Sequence, residues 1–298
     1  PWVASQAEPD PDAVIRMTGQ LKERQFDAAI IFTVQSQNPL PSAMLCYLAG
    51  IPRVLSFCRE NPYRLVSHWL PDPEVLVATR HEVIRQLELV GAIGATTTNL
   101  SLSLYLPSGA REQAEQALRS AGVDGFSPWL LLHPGVSEEK RRYPAIAFIK
   151  VARQLIQQGF QVVLTGSRSE QAYVESIRQQ IGTQAYNLAG LLDLPTLAAL
   201  IAEAPVLIAN NTGPVHLAAA VGTPIVVLYA KTNPQHTPWQ VPNRVLYFDV
   251  PVPLRSKNRL LQQFPEPAEP TASPEAIVQA VGELTLSTEH PQLVTTSN

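Results

Sequence analysis

Charge is scarce in this sequence: Asp, Glu, Lys and Arg make up 16% of its 298 residues, against about 25% in a typical soluble protein. The 22 basic and 25 acidic residues give a net charge of -3, and the lack of a basic excess argues against a nucleic-acid binder. Cysteine occurs only at Cys46 and Cys58, which excludes a disulfide framework and a four-thiolate zinc site and suits a reducing cytosol. No apolar run approaches the ~18 residues of a membrane span. The chain also starts without Met, at Pro1-Trp2, so a fragment or processed product is expected. Several enzyme signatures are missing. There is no G-x-G-x-x-G or phosphate-loop motif, no H-E-x-x-H or Cys/His zinc spacing, and no G-x-S-x-G elbow. No metal is therefore expected. What is plentiful is apolar surface, at 45% of residues, enough for a large core and roughly two domains.

From Trp129 onward, short apolar runs alternate with helical patterns. Residues 129–132 form the first run and end in His133-Pro134-Gly135. Ala145, Phe148, Ile149, Ala152, Leu155 and Ile156 follow at helical spacing, opened by Pro144 and closed by Gly159. Strands are predicted at 160–165, 186–188, 206–209 and 223–229, the last being the final clear buried run, with helices at 173–181, 194–202 and 215–221. Apolar strands alternating with helices read as a doubly wound α/β domain with a parallel sheet. The first hundred residues repeat this rhythm weakly: helix 13–24, strand 28–32, helix 42–48, strand 53–57 and helix 82–90. So few strands make a marginal sheet, which predicts an incomplete domain with an open edge. The expected division is 1–107, ending in a Thr/Ser-rich linker (95–107) with a strand at 102–106, and 108–298. Prolines at 265, 267, 270 and 274 forbid regular structure across 264–274. One closing helix over 274–286 and a loose tail beyond Ser287 complete the chain.

Open α/β sheets bind ligands in loops after the strands' carboxyl ends. Asn210-Asn211-Thr212-Gly213-Pro214-Val215-His216 follows an apolar strand and starts a helix. Its free N–H groups suit a phosphate, although Thr212 could simply cap the helix. His133-Pro134-Gly135-Val136-Ser137 leads into Lys140-Arg141-Arg142 ahead of another helix. Unpaired cations there oppose the helix dipole, so either an anion sits among them or they form a solvated basic turn. In Thr165-Gly166-Ser167-Arg168-Ser169-Glu170, Glu170 could accept from a ribose hydroxyl or serve as a capping carboxylate.

In order and spacing these stretches resemble glycosyltransferase family 9, the lipopolysaccharide heptosyltransferases. The matching residues are His133 to Ser137, Arg141-Arg142-Tyr143-Pro144, Gly166 to Glu170 and Leu188-Ala189-Gly190. The series continues with Asn211-Thr212-Gly213-Pro214-Val215-His216, Thr232-Asn233-Pro234 and Pro238-Trp239. Residues 24–50 are similar to the later part of the family's acceptor domain. The resemblance implies a GT-B type fold: two Rossmann-like, doubly wound α/β domains, the N-terminal one incomplete. It implies an inverting, metal-independent transfer of heptose or a related sugar from a nucleotide-diphosphate sugar, ADP-heptose above all, to a hydroxyl of lipopolysaccharide core or another glycan. No cofactor beyond the donor substrate is implied.

By the same resemblance, Ser137 and Arg141 hold the diphosphate or sugar and Glu170 the ribose, with Gly166 and Gly190 allowing close approach. Leu191 lies near the adenine, and Asn211, Thr212, Gly213 and His216 surround the diphosphate. The family commonly has Lys at the place of Arg141 and Asp at that of Asn211. Arg keeps the charge and adds a phosphate-gripping fork, whereas Asn removes a negative charge and allows a different donor sugar. The family's Gly-Asp segment, with its general-base Asp, is expected upstream of Pro1. Asp10, Asp12 and Asp27 lack that context. A nucleotide-sugar binding module without catalysis is the alternative. The implied location is cytoplasmic, with peripheral contact at the inner face of the cytoplasmic membrane.

Overall fold

The computed structural model describes residues 10–34, 37–72, 80–230, 234–250 and 270–289. The chain forms two compact units that divide between Leu100 and Ser101. Among the described residues no helix is long and apolar enough to cross a membrane.

The first unit comprises α1 (Pro11–Glu23), β1 (Ala29–Ile31), α2 (Leu40–Leu48), β2 (Val54–Cys58), β3 (His68–Pro71) and α3 (Glu82–Gly91). α1 starts where the Asp10 carboxylate accepts from Ala13 N, with Pro11 at its first position. The three strands are parallel in the order β1-β2-β3. Central β2 is buried along its whole length. Ala43, Cys46 and Val54 pack in one core, and Leu55, Phe57 and Leu89 in another. Among the described residues β1 pairs on one side only, and Phe26 and Phe32 beside it remain exposed. A buried ion cluster closes the carboxyl end of this sheet. Arg85 donates to Asp72 at 2.9 Å and to the Thr33 carbonyl, and its guanidinium lies over the Phe57 ring at 4.8 Å. The strand β3 is additional to the sequence reading. His68 and Pro71 disguise it, but it is ordered by pairing with residues 55–58 of β2.

The second unit begins with α4 (Ala110–Ala121) and β4 (Trp129–His133), followed by α5 (Ala145–Gln157), β5 (Gln161–Leu164), α6 (Gln171–Ile181) and β6 (Ala185–Asn187). It continues with α7 (Leu194–Glu203), β7 (Leu207–Asn210), α8 (Gly213–Val221), β8 (Ile225–Tyr229), β9 (Asn243–Tyr247) and α9 (Pro274–Glu289). The six parallel strands run β6-β5-β4-β7-β8-β9. Successive strand residues point to opposite faces. Leu130, Leu132, Val162, Leu164, Ile208 and Leu228 therefore meet residues of α5, α6 and α9. Leu131, Val163, Leu207, Ala209, Val227 and Tyr229 face α4, α7 and α8.

Two expectations need correction. Residues 102–106 form no strand: Leu102 and Leu106 pack against the second core while Leu104 and Tyr105 stay exposed. The alternation there reflects burial on a packed face, without a ladder. The run at 223–229 holds the last fully buried strand, and the half-buried β9 pairs beside it. The closing helix runs on to Glu289 rather than 286. Helix α4 was not read at all. It is polar overall, and its apolar stripe of Ala110, Ala114, Ala117, Leu118 and Ala121 is mostly alanine and so stands out little. Most of the proline-rich stretch (264–269) and the tail from 290 lie outside the described residues.

Candidate functional site

Because all six strands of the second unit are parallel, their carboxyl ends share one edge. From β4 the chain winds outward one way through β5 and β6 and the other way through β7, β8 and β9. The switch point lies between β4 and β7, where such sheets open a crevice at the carboxyl edge. The segments after β4, β5, β6 and β7, the first turn of α8 included, contain all ten site residues inferred above, from Ser137 to His216.

Asn210, the last residue of β7, is completely buried and sews this crevice together. Its Oδ1 accepts from Tyr143 N at 3.0 Å, and its Nδ2 donates to the Pro134 carbonyl at 2.9 Å. Tyr143 is itself anchored by its hydroxyl, which donates to Ala272 O at 2.9 Å. Both ends of the 134–143 loop are thus set by one amide.

The loops after β4 and β5 are joined by Glu170. Its Oε2 accepts from Ser167 N and from Ser167 Oγ, each at 2.8 Å, and the carboxylate also accepts from Val136 N. With Ser167 it forms a capping box ahead of α6. The capping carboxylate is therefore a present role of this residue. Gly135 makes the approach feasible, since a Cβ there would stand 2.6 Å from Glu170 Oε2. Behind this pair lies His133, buried, with Nδ1 3.0 Å from Thr165 Oγ1. Burial holds its pKa down at about 4, although the Glu170 charge pulls the other way. For Glu170, burial pushes upward, but the Ser167 bonds and neighbouring His133 bring the carboxyl below its ordinary value.

The basic turn is not an unpaired set of cations. Glu138 meets both Lys140 and Arg141 at 2.7 Å, and Arg142 meets Glu139 at 3.1 Å. Arg142 also lies over the Tyr173 ring at 4.5 Å. The chain's own acids relieve the conflict with the α5 dipole that an anion was expected to relieve. Arg141 still keeps a buried Nε without a hydrogen-bond partner among the described residues. Ser137 next to this turn is exposed.

At the head of α8, Thr212 occupies the capping position, but its side chain makes no cap bond. The simple capping role is therefore absent, and the first N–H groups of α8 are not satisfied by that hydroxyl. Gly213 and His216 are exposed, and the His216 ring stands edge-on to His236 at 6.3 Å. Asn211 is buried, with its N–H donating to Leu228 O at 3.1 Å. After β6, Gly190 N donates to Gly166 O at 2.9 Å. Gly190 has φ +74° and lies against Arg168, whose Cα would be 3.1 Å from a Cβ, so glycine is required twice over. Leu191 next to it is 65% exposed. Thr232 and Asn233 of the resemblance lie outside the described residues.

Within those loops, sequence reasoning did not single out Asn210 or Thr165. The available signal was a polar residue ending an otherwise apolar strand, as in Leu207-Ile208-Ala209-Asn210.

The model of the family described as glycosyltransferase family 9 (heptosyltransferase) matches residues 14–263. Lipooligosaccharide heptosyltransferase 2 of Haemophilus ducreyi is 37% identical, over 74% of this chain and 65% of its own. The chain thus spans slightly less than two thirds of this and the other foremost curated relatives. A family 9 glycosyltransferase structure from Veillonella parvula superposes with a TM-score of 0.74 at 20% identity, covering 94% of this chain and 81% of that one. The structure titled E. coli ADP-heptose lps heptosyltransferase II gives 0.69 at 24%, over 94% and 82%. The likeness establishes an α/β fold of GT-B type. With the family's model matched from Val14 to residue 263, the chain belongs to glycosyltransferase family 9.

Proposed function

We propose that this chain carries the nucleotide-sugar site of an inverting, metal-independent heptosyltransferase. In this reading the donor is ADP-heptose and the acceptor a hydroxyl of a lipopolysaccharide core. The observation that carries it is the pairing of an uncapped helix start at Thr212-Gly213 with the Arg141 turn on one carboxyl edge. A nucleoside diphosphate is the chemistry that such a donor-rich edge accepts. The relatives' names support the sugar and the glycan, and the E. coli structure's title supports the adenine nucleotide.

The acceptor oxygen forms a bond to the anomeric carbon as the bond from that carbon to the diphosphate breaks on the opposite face. The hydroxyl proton passes to a base. Negative charge grows on the departing diphosphate, where Arg141, the first N–H groups of α8 and His216 stabilise it. Asn211 leaves that end of the site without the negative charge common in the family. Glu170 would offer a carboxylate oxygen to the ribose while Oε2 stays on Ser167. A glycolipid acceptor would bring the protein to the inner face of the cytoplasmic membrane.

Calorimetric titration with ADP, GDP and UDP tests the reading on this chain. ADP should bind best, and Arg141→Ala should weaken it roughly ten- to hundredfold, about 1.4–2.8 kcal/mol. The Arg141–Glu138 pair is partly exposed, and such pairs contribute at most about 1 kcal/mol, so the thermal midpoint should hardly move. If no nucleoside diphosphate binds, or the variant binds as well as the parent, the assignment fails.

A further inference from the structure

We propose that the Tyr229 hydroxyl is a further ligand of the donor's diphosphate, giving a hydrogen bond to a phosphate oxygen beside Arg141. This rests on the donor-site reading above. Tyr229 ends β8 on the carboxyl edge, one strand across from Asn211-Thr212-Gly213. Its main chain is fixed by Phe248 N, which donates to Tyr229 O at 2.9 Å. The side chain is 0% exposed, and its ring packs in the same core as Val215 of α8, 6.1 Å from the Tyr247 ring. In that position Phe would pack equally well.

Yet the hydroxyl is there, buried, with no hydrogen-bond partner among the described residues. A buried hydroxyl left unpaired forfeits the water it gave up and gains nothing in exchange, so such groups are uncommon and have a reason. Arg141 is close enough to act on the phenol electrostatically, and its own buried Nε is also unpartnered. Burial pushes the phenol pKa up, outweighing Arg141, so the group stays protonated and donates. Two unspent donors, from the β4 loop and from β8, thus belong to the carboxyl edge that also carries the start of α8, where Thr212 provides no cap. Only an acceptor with several oxygens can satisfy all three, and a diphosphate is one.

The test is Tyr229→Phe in the full chain, titrated with ADP and with adenosine. ADP binding should weaken about tenfold, ~1.4 kcal/mol, adenosine binding should be unchanged, and the thermal midpoint should hold or rise. A parent-like ADP affinity in Tyr229→Phe, with Arg141→Ala still impaired, overturns this inference and leaves the donor site standing. Equal losses for ADP and adenosine with a lowered midpoint also overturn it, because the hydroxyl would then serve packing. A parent that binds no nucleoside diphosphate overturns both readings.

Discussion

Asn210→Asp replaces one NH2 group by an oxygen at the buried seam of the crevice. One carboxyl oxygen can still accept from Tyr143 N, but the other faces the Pro134 carbonyl where Nδ2 stood at 2.9 Å. Ionised, the side chain would bury a charge and set two acceptors against each other. Protonated, it donates to Pro134 O and restores the seam. The fold therefore favours the acid form and raises its pKa above the unfolded value of about 3.9, by about 3 units if it behaves as other fully buried carboxyls do. At about 1.4 kcal/mol per unit, the penalty reaches roughly 4 kcal/mol once pH exceeds the folded pKa. The sign follows from linkage. A raised folded pKa costs nothing below the unfolded pKa, and stability is lost as pH climbs towards the folded one. Urea unfolding of parent and variant gives the difference at each pH, and the parent curve removes the effects of other groups. The variant should be roughly 1.5 kcal/mol less stable at about pH 5 and roughly 4 kcal/mol less stable at about pH 8. Equal penalties at both pH values would refute the argument that this amide is held by one donor and one acceptor.

Gly135→Ala should drive the Glu170 carboxylate off Ser167, costing roughly 2–3 kcal/mol. A cycle with Glu170→Ala should show the double variant losing less than the sum of the single ones. His133 keeps a pKa of about 4 against 6.5. Its neutral form therefore supports the fold above pH 6.5, and that support drains as pH falls towards 4, on the order of 3 kcal/mol. Denaturant melts across that window should flatten in His133→Asn; an unchanged slope would count against a buried neutral imidazole.

The second unit was legible because its strands are buried on both faces. Leu130 to Leu132, Val162 to Leu164 and Val226 to Leu228 are apolar without interruption, and each run ends in a polar or glycine-bearing loop. Edge and surface elements were not legible. β9 is only half buried and β3 mostly exposed, so neither forms a continuous apolar run, and α4 buries only small alanines. The site divides in the same way. The loops could be placed from strand ends, but the partners of their charges could not. Glu138–Arg141 and Glu139–Arg142 are three residues apart, a spacing that suits a helical turn and could have warned that the cations pair locally. Nothing local links Asn210 to Tyr143, 67 residues away. That bond exists only once β4 and β7 lie side by side.

The carboxyl edge is not uniform in the hydrogen-bonding capacity it leaves unspent. On the β5–β6 side the loops largely satisfy themselves, the buried Tyr173 hydroxyl of α6 excepted: Glu170 caps its own turn, Gly190 N bonds Gly166 O, and Asp193 accepts from Thr196 N at 2.9 Å to start α7. What that side offers is shape and apolar surface, with Leu191 exposed just past Gly190. Around the switch point more is left over. The head of α8 has no side-chain cap, and Tyr229 and Arg141 each bury a donor that has no partner among the described residues. A folded chain loses stability by leaving buried donors unsatisfied, so an acceptor near α8 would recover what these two groups give up. A nucleoside diphosphate presents this asymmetry, a flat and largely apolar base at one end and charged oxygens at the other. Laid along this edge with its base over Leu191 and its phosphates at α8, it would meet each side of the crevice with the matching chemistry, and the reverse orientation would leave the orphaned donors unanswered.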